Sequence, residues 1–245
     1  MMKFNFLSES DQAYYIHKAS TLVEALPYIR EHAGNIFVIK YGGHAMGDLN
    51  LSKTFSKNIG LMKEIGILPV VVHGGGPQIG EMLNKKNIKS KFVEGLRVTD
   101  EETVKIVENV LSKDINKKIV EDINQTGGKA IGLAGNKNNL IEASKLKIQS
   151  KETDSNIEKM LDIGFVGKPT KINIDIINEQ LNRGFIPVIA PLGVDAKNNN
   201  YNINADTAAG FIAGALKASK LLLLTDVAGI LDKEKKLISS LSLNQ

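Results

Sequence analysis

From residue 36 onward, short apolar runs typical of strands alternate with patterns typical of helices. The strand-like runs cover 36–40, 68–72, 130–133, 186–189 and 221–224, and the helical patterns cover 51–65, 76–86, 101–124, 173–183 and 205–218. Several runs are apolar along their whole length, as in parallel strands that helices cover on both faces. The sequence therefore predicts an α/β fold, a three-layer α/β/α sandwich around a mainly parallel open sheet.

Four shorter β-prone pieces with turn residues interrupt this alternation. They lie near 88–98, 140–148, 162–168 and 199–203. We expect them to form β-hairpins that extend over one edge of the sheet. The polar stretches 135–139 and 150–158 are expected to be surface loops.

The composition excludes several classes of protein. The 245 residues suffice for a full core. No apolar run approaches the ~20 residues that span a membrane. The net charge of +4 comes from scattered lysines, and aromatic residues make up only 5% of the chain, so we expect no nucleic-acid partner. The chain has no cysteine, which excludes thiolate chemistry and favours a cytoplasmic location.

Residues 13–32 have the pattern of an amphipathic helix that precedes the first strand. Its apolar positions are Ile16, Ala19, Val23 and Leu26. Pro27 lacks a backbone donor, so we expect a kink or a break there. An apolar stripe on an appended helix has to pack either on its own domain or on another subunit. The sequence leaves both interpretations open.

Two of the predicted strands run directly into glycine-rich turns. The first turn is Lys40-Tyr41-Gly42-Gly43 and the second is His73-Gly74-Gly75-Gly76-Pro77. Glycine lets backbone N–H groups converge on an anion, and the helix that follows directs its positive end at the same point. Three consecutive glycines exceed the steric need of a tight turn. Two such turns, one with Lys40 at its base, predict a site for two anionic groups.

Further polar residues stand where strands or hairpins meet helices. Arg97 precedes the helical pattern that starts at 101, and a guanidinium there can clamp a carboxylate. Asn202, Asn204 and Asp206 open a helix of small residues and resemble a polar cluster that holds a lysine. The sequence has no P-loop, no dinucleotide fingerprint and no metal-ligand spacing among its four histidines, so we expect no tightly bound metal.

Together these pieces resemble the amino-acid kinase family, and within it the acetylglutamate kinases of arginine biosynthesis. The matching stretches are VIKYGG at 38–43, VVHGGGPQIG at 71–80, GLRVT at 95–99, NINADTAA at 202–209 and LLTDVAGIL at 223–231. Their order is that of the family, and GLRVT with NINAD separates this branch from uridylate, aspartate and carbamate kinases. The resemblance implies ATP-dependent phosphorylation of the side-chain carboxylate of N-acetyl-L-glutamate, with Mg²⁺ bound to the ATP.

The resemblance also implies roles for single residues. Lys40 would stabilise the transferring phosphoryl group, and Asp206 would orient the catalytic lysines. The residues implied to hold acetylglutamate are Gly75, Gly76, Arg97 and Asn202. The residues implied to contact phosphate or ATP are Gly42, Gly43, Asp226, Val227, Ala228, Gly229, Ile230 and Leu231.

The segment ASTLVEALPYI at 19–29 is similar to the kinked N-terminal helix of arginine-inhibited members of this branch. The resemblance implies a homo-oligomer, a dimer that assembles into a hexamer, with L-arginine as an inhibitor. It divides the chain into an oligomerisation helix at 1–34, an acetylglutamate-binding lobe at 35–218 and the start of a nucleotide-binding lobe at 219–245. Because family members continue through a second catalytic lysine, we expect the nucleotide-binding lobe to be incomplete here.

The sequence leaves two alternative functions open. One is a kinase of a related acyl amino acid, such as an aminoadipate derivative. The other is a non-catalytic, regulatory subunit that binds acetylglutamate or arginine without phosphorylation. A coupled assay of ADP release separates both from the acetylglutamate kinase.

Overall fold

The computed structural model describes residues 8–151 and 158–242, and its central feature is a five-stranded parallel sheet. The strands of this sheet are β1 Ile36–Tyr41, β2 Leu68–His73, β5 Ala130–Ala134, β8 Ile186–Ala190 and β11 Lys220–Leu223. Their order across the sheet is β11-β1-β2-β8-β5, and every neighbouring pair is parallel. The predicted parallel open sheet is confirmed, and each strand's ends differ from the prediction by one residue at most.

Helices cover both faces of this sheet. They are α2 Leu49–Glu64, α3 Gly76–Lys85, α4 Glu101–Asn109, α5 Asn116–Gln125, α6 Ile174–Asn182 and α7 Ala205–Ala215. Another helix, α1 Glu9–His32, precedes the first strand. The single helix predicted over 101–124 is divided, because a π-helical segment at Val110–Ile115 separates α4 from α5. None of the described helices is long and apolar enough to cross a bilayer.

Strand β1 shows why the strands are apolar along their whole length. Phe37, Ile39 and Tyr41 belong to the core cluster that includes α2, α3 and the π-helical segment. Val38 belongs to the opposite cluster, with α6 and α7. Because successive side chains of a strand point to opposite faces, Lys40 shares the face of Val38 and projects toward α7. The three-layer sandwich therefore directs the predicted catalytic lysine toward one particular helix.

The β-prone pieces outside the central sheet form two further units. A closed barrel contains β6 Ile141–Lys151, β7 Glu158–Ile172, β9 Leu192–Val194 and β10 Asn200–Ile203, and a small hairpin contains β3 Phe92–Val93 and β4 Leu96–Arg97. The predicted hairpin near 88–98 is confirmed. Of the other pieces, β6 and β7 pair antiparallel, as strands of a hairpin do. They are not separate from the last piece, because β10 pairs with both β7 and β9 and the four strands close into a barrel.

Helix α1 is continuous through its proline, and its apolar stripe is exposed. It continues through Pro27 to His32, so the helix does not break at the proline. Its apolar side chains are exposed, with Ile16 at 66%, Val23 at 64% and Leu26 at 46% of full exposure. Packing of this stripe on its own domain is therefore wrong for the described residues. Packing on another subunit stays a prediction.

Candidate active site

A cavity of about 290 Å³ opens at the carboxyl ends of β1 and β2. Most of the site residues predicted from the sequence line it: Lys40, Gly42, Gly43, Gly75, Gly76, Arg97, Asn202 and Asp206. Parallel strands bring their carboxyl ends to one edge of the sheet, and α/β folds bind ligands outside that edge. The fold therefore gathers residues that are up to 166 positions apart in the sequence (Lys40 to Asp206) into one cavity.

An ion pair lines this cavity. Lys40 Nζ lies 3.1 Å from Asp206 Oδ1, and the side chains of the two residues are 14% and 52% exposed. Asp206 stands in the first turn of α7, whose N-cap residue Asn204 accepts a hydrogen bond from the Thr207 N–H. The capped helix fixes Asp206, and Asp206 in turn holds the Lys40 ammonium group. An anion that enters the cavity would therefore contact the Lys40 ammonium group, which Asp206 already holds in position.

The first glycine turn lies against Lys40 and against the second turn. A Cβ atom built on Gly42 would lie 2.9 Å from Lys40 Cε and 3.1 Å from Lys40 Nζ. The Gly74 N–H donates a hydrogen bond to the Tyr41 carbonyl at 2.7 Å. The two turns predicted from the sequence are therefore in direct contact, and Gly42 leaves the space that the lysine side chain occupies.

The second glycine turn leads into α3, whose N-cap is Gly75. A Cβ atom on Gly75 would lie 2.6 Å from both Leu111 Cδ2 and Ile115 Cδ1, which belong to the π-helical segment. This close approach gives Gly75 a steric requirement that the sequence did not reveal. Gly76 has none, because no atom lies within 4 Å of the position of its Cβ. The first N–H groups of a helix have no acceptor within the helix, so this turn presents donors to the cavity.

Arg97 is buried beside the second turn, with 8% of its surface exposed. Its Nη2 donates to the Gly76 carbonyl at 3.0 Å, its Nη1 donates to Ser90 Oγ, and the guanidinium lies 4.7 Å from the centre of the Phe92 ring. Burial lowers the pKa of Arg97, and the group nevertheless stays protonated at neutral pH. Arg97 is therefore a fixed, desolvated cation that lines the cavity.

The cavity also contains residues that the sequence did not single out. They include Phe92 of β3, Leu111 of the π-helical segment, Val166 of β7 and Pro191, which precedes β9. Phe92 lies on the hairpin that the sequence predicted. The other three residues reach the cavity through the barrel and the π-helical segment, and no local pattern marks either of these two features. Gly74 and Asn204 also line the cavity, and both stood inside motifs quoted from the sequence.

The Asp226–Leu231 segment lies after β11 and outside the lining of this cavity. Asp226 approaches the first glycine turn, since its Oδ1 lies 3.7 Å from the position of a Cβ built on Gly43. Val227 and Ile230 are 60% and 62% exposed. The structure thus brings Asp226 to the edge of the site and leaves the rest of the segment at the surface. The predicted ATP contacts of these residues stay a prediction.

A second cavity, of about 330 Å³, lies between α2, α3 and α5. Its apolar lining includes Met46, Leu49, Met82 and Ile119, together with the Tyr41 ring. None of the site residues predicted from the sequence lines it. We therefore place the chemistry in the smaller and more polar cavity, which holds the ion pair and both glycine turns.

His73, the last residue of β2, is completely buried behind the second glycine turn. Burial lowers the pKa of its imidazole from 6.5 to about 4, although the hydrogen bond with the Gly74 carbonyl acts in the opposite direction. The ring is therefore neutral at neutral pH. In the sequence this histidine was part of a matching motif and had no assigned role.

Protonation of His73 is expected to weaken the fold in acid. Because the pKa in the folded state is lower than in the unfolded state, the contribution of the neutral ring to stability is fully present above pH 6.5 and is lost as the pH falls from 6.5 to about 4. Between pH 7 and about pH 4.5, we expect the free energy of unfolding to fall by about 2 kcal/mol more in the unsubstituted protein than in His73→Gln. Urea unfolding at both pH values measures this difference, and equal losses would contradict a neutral buried ring.

Comparisons with known proteins show which family this chain belongs to. The amino acid kinase family matches residues 35–245. An acetylglutamate kinase of Rhodospirillum centenum is 57% identical over 228 residues, which are 93% of this chain and 75% of that protein.

Solved structures are also similar to this chain. The smu.665 protein of Streptococcus mutans matches with a TM-score of 0.69 and 33% identity, over 81% of this chain and 75% of that one. An N-acetylglutamate synthase of Neisseria gonorrhoeae, complexed with coenzyme A and N-acetyl-glutamate, matches with a TM-score of 0.74 over 89% of this chain and 48% of that one. At 23% identity, the likeness to the synthase shows the fold alone.

Proposed function

Because this chain belongs to the amino acid kinase family, we propose that it phosphorylates the side-chain carboxylate of N-acetyl-L-glutamate with ATP, a step of arginine biosynthesis. One observation of the site carries the proposal: two cationic groups, Lys40 Nζ and the Arg97 guanidinium, line one cavity together with two glycine turns. This arrangement suits two anions that have to meet. The identity with proteins named acetylglutamate kinase supports the choice of substrate.

In the proposed reaction, a side-chain carboxylate oxygen of acetylglutamate attacks the γ-phosphorus of ATP. The bond between that phosphorus and the bridging oxygen breaks, ADP leaves with the electron pair, and the product is an acyl phosphate. The nucleophile is already an anion, so no general base is required. The protein's contribution is to position the two reactants and to neutralise charge on the transferring group. Mg²⁺ arrives bound to ATP, as part of the substrate.

The cavity residues divide between the two reactants in this proposal. Lys40, held by Asp206, stabilises the phosphoryl group in flight, and the backbone N–H groups of Gly42, Gly43 and Gly75 donate to its oxygens. Arg97 binds a carboxylate of acetylglutamate. Its guanidinium has five N–H donors, and the hydrogen bonds to the Gly76 carbonyl and to Ser90 leave others for this carboxylate. The remaining predicted contacts with acetylglutamate are those of Gly75, Gly76 and Asn202.

Three further assignments belong to the proposal. The lobe at 35–218 binds acetylglutamate, and residues 219–245 start the nucleotide-binding lobe, with Asp226–Leu231 in contact with ATP. We propose the cytoplasm as the location, in agreement with the absence of cysteine. A regulatory, non-catalytic role and a different acyl amino acid as substrate are not favoured, because the similar curated relatives are named acetylglutamate kinases.

A coupled assay of ADP release tests the proposal directly. We expect turnover with N-acetyl-L-glutamate, little with an acetylated aminoadipate, and none with unacetylated glutamate. Hydroxylamine in the same reaction is expected to trap the acyl phosphate as a hydroxamate in an amount that matches the ADP. Binding of acetylglutamate without ADP release would indicate the regulatory function instead. Addition of L-arginine to this assay tests whether L-arginine inhibits the turnover.

Substitution of Gly42 tests the contact between the first turn and Lys40. We expect Gly42→Ala to lower kcat by at least about tenfold, because the new methyl group displaces a positioned charge, with little effect on Tm. The atoms in its way are the far end of a flexible lysine, so the fold can adapt. Gly210→Ala is the matched control, since Gly210 is exposed on α7 and no atom lies within 4 Å of its Cβ position. Equal kcat values for both variants would contradict the prediction.

We also propose that α1 joins copies of this chain, in a dimer-based hexamer. The helix exposes Tyr14, Leu22 and Tyr28 at 53%, 70% and 66% of their surface, in addition to its predicted apolar stripe. A soluble protein rarely leaves so large an apolar surface without a partner. Another copy of the same helix offers a matching surface in a symmetric contact.

Removal of residues 1–30 is expected to lower the assembly from hexamer to dimer. Multi-angle light scattering measures the mass before and after the deletion. In the full chain, Val23→Glu is expected to have the same effect, because it places a charge in the apolar surface, whereas Glu24→Gln serves as its neighbouring control. An unchanged mass after the deletion would contradict the proposal.

A further inference from the structure

The hydrogen bonds of His73 fix one tautomer of its ring. The Nδ1 atom lies 2.8 Å from the Gly74 carbonyl oxygen, and the Nε2 atom lies 3.2 Å from Asn116 Nδ2. A carbonyl oxygen can only accept, so the proton is on Nδ1. An amide nitrogen can only donate, so Nε2 is the acceptor. Asn116 Nδ2 also donates to the Val188 carbonyl at 2.9 Å, which uses both of its hydrogens.

This arrangement sets the direction of the peptide between Gly74 and Gly75. In a trans peptide the C=O and the N–H point in opposite directions, and the described residues contain no cis peptide. The Gly74 carbonyl points at a ring that is completely buried, so the Gly75 N–H points away from it. Gly74 and Gly75 both line the cavity that contains Lys40. The Gly75 N–H is therefore directed toward the place where the proposed reaction occurs.

A peptide between two glycines needs such a restraint. Glycine adopts a wide range of backbone angles, and a rotation of this peptide would exchange the N–H in the cavity for a carbonyl oxygen. An oxygen there would repel the anionic reactants. The side chains of Leu111 and Ile115 restrict the Cα of Gly75, and the His73 hydrogen bond restrains the carbonyl of Gly74.

We propose that His73 is a positioning residue that orients the Gly74–Gly75 peptide, so that the Gly75 N–H donates to the phosphoryl group or its acceptor. Asn116 holds the His73 ring in the required tautomer through its hydrogen bond to Nε2. His73 itself does not contact the reactants. The inference rests on the proposed kinase function for its kinetic readout.

Two substitutions separate positioning from structural support. The amide nitrogen of His73→Asn takes the place of Nδ1 and keeps the donor for the Gly74 carbonyl. The longer His73→Gln reaches the place of Nε2, keeps a partner for Asn116 and loses the donor for Gly74. We expect kcat of His73→Asn to stay within about threefold of the unsubstituted protein and kcat of His73→Gln to fall by about 100-fold.

The stability of the two variants is expected to follow the opposite order. His73→Asn leaves a larger gap and an Asn116 hydrogen without an acceptor, so its Tm is expected to be the lower of the two. A purely structural role would make activity follow stability, with His73→Gln as the more active variant. That result would overturn the proposal.

Nuclear magnetic resonance tests the geometry without the reaction. A two-bond ¹H–¹⁵N spectrum of the full chain is expected to show the Nδ1–H tautomer of His73 at neutral pH, and the Nε2–H tautomer would overturn the proposal. Absence of turnover with acetylglutamate in the unsubstituted chain would contradict the proposed function alone. In that case the Gly75 amide resonance tests the positioning role of His73. On titration with inorganic phosphate, this resonance is expected to shift in the unsubstituted chain and in His73→Asn but not in His73→Gln. Equal shifts in all three proteins would overturn the proposal.

Discussion

Replacement of Lys40 with alanine is expected to lower kcat for acetylglutamate phosphorylation by about 10²- to 10³-fold. Lys40 Nζ lies 3.1 Å from Asp206 Oδ1 and 3.1 Å from the position of a Cβ built on Gly42 in the first glycine turn. Charge on the transferring phosphoryl group meets this amine in the transition state, so its loss acts on kcat more than on the KM values. Initial rates of ADP release at saturating ATP and acetylglutamate measure the effect.

A matched control separates this role from a loss of net charge. Lys105 is exposed and forms an i,i+4 pair with Glu101, so Lys105→Ala removes the same charge from the surface of α4. We expect this control to change kcat by less than about twofold, since surface ion pairs of this kind contribute little. If Lys40→Ala keeps more than a tenth of the activity, the assignment of Lys40 to the phosphoryl group is wrong.

The central sheet was predictable because its signal is local. Strand β1 buries both of its faces, which forces an apolar residue at nearly every position and makes Lys40 stand out at its carboxyl end. The rule that α/β folds bind ligands at that end applied to Lys40. Asp206 was assigned to the same site from the polar residues that open its helix and from the family resemblance. Their 3.1 Å ion pair agrees with the role that the family resemblance implied for Asp206.

Other features depend on contacts that no local pattern records. The barrel closes through the pairing of β10 with β7 and β9, and the apolar periodicity of 101–124 gives no sign of the π-helical segment that divides it. That segment presses Leu111 and Ile115 against Gly75, and it is followed directly by Asn116, the partner of His73. The sequence therefore identified the glycine turn and missed the structure that holds it in place.

Substitution of Arg97 with lysine is expected to raise the KM for acetylglutamate by about 30- to 100-fold, with a smaller effect on kcat. The variant keeps the positive charge but loses the planar group that binds the Gly76 carbonyl and Ser90 while it presents further donors to the cavity. A lost hydrogen bond to a charged group costs about 2–3 kcal/mol, which corresponds to this change in affinity. Measurement of both KM values shows whether the effect is confined to acetylglutamate.

Arg183→Lys is the matched control for this change. Arg183 is exposed after α6, forms an i,i+4 pair with Glu179 and lies over the Phe185 ring, much as Arg97 lies over Phe92. It differs from Arg97 in lying outside the cavity, so we expect Arg183→Lys to leave both KM values unchanged. If Arg97→Lys instead raises the KM for ATP, or lowers kcat alone, then Arg97 acts on the phosphoryl group. The two cations of the cavity would in that case serve one reactant, and the division of the site between two anions would be wrong.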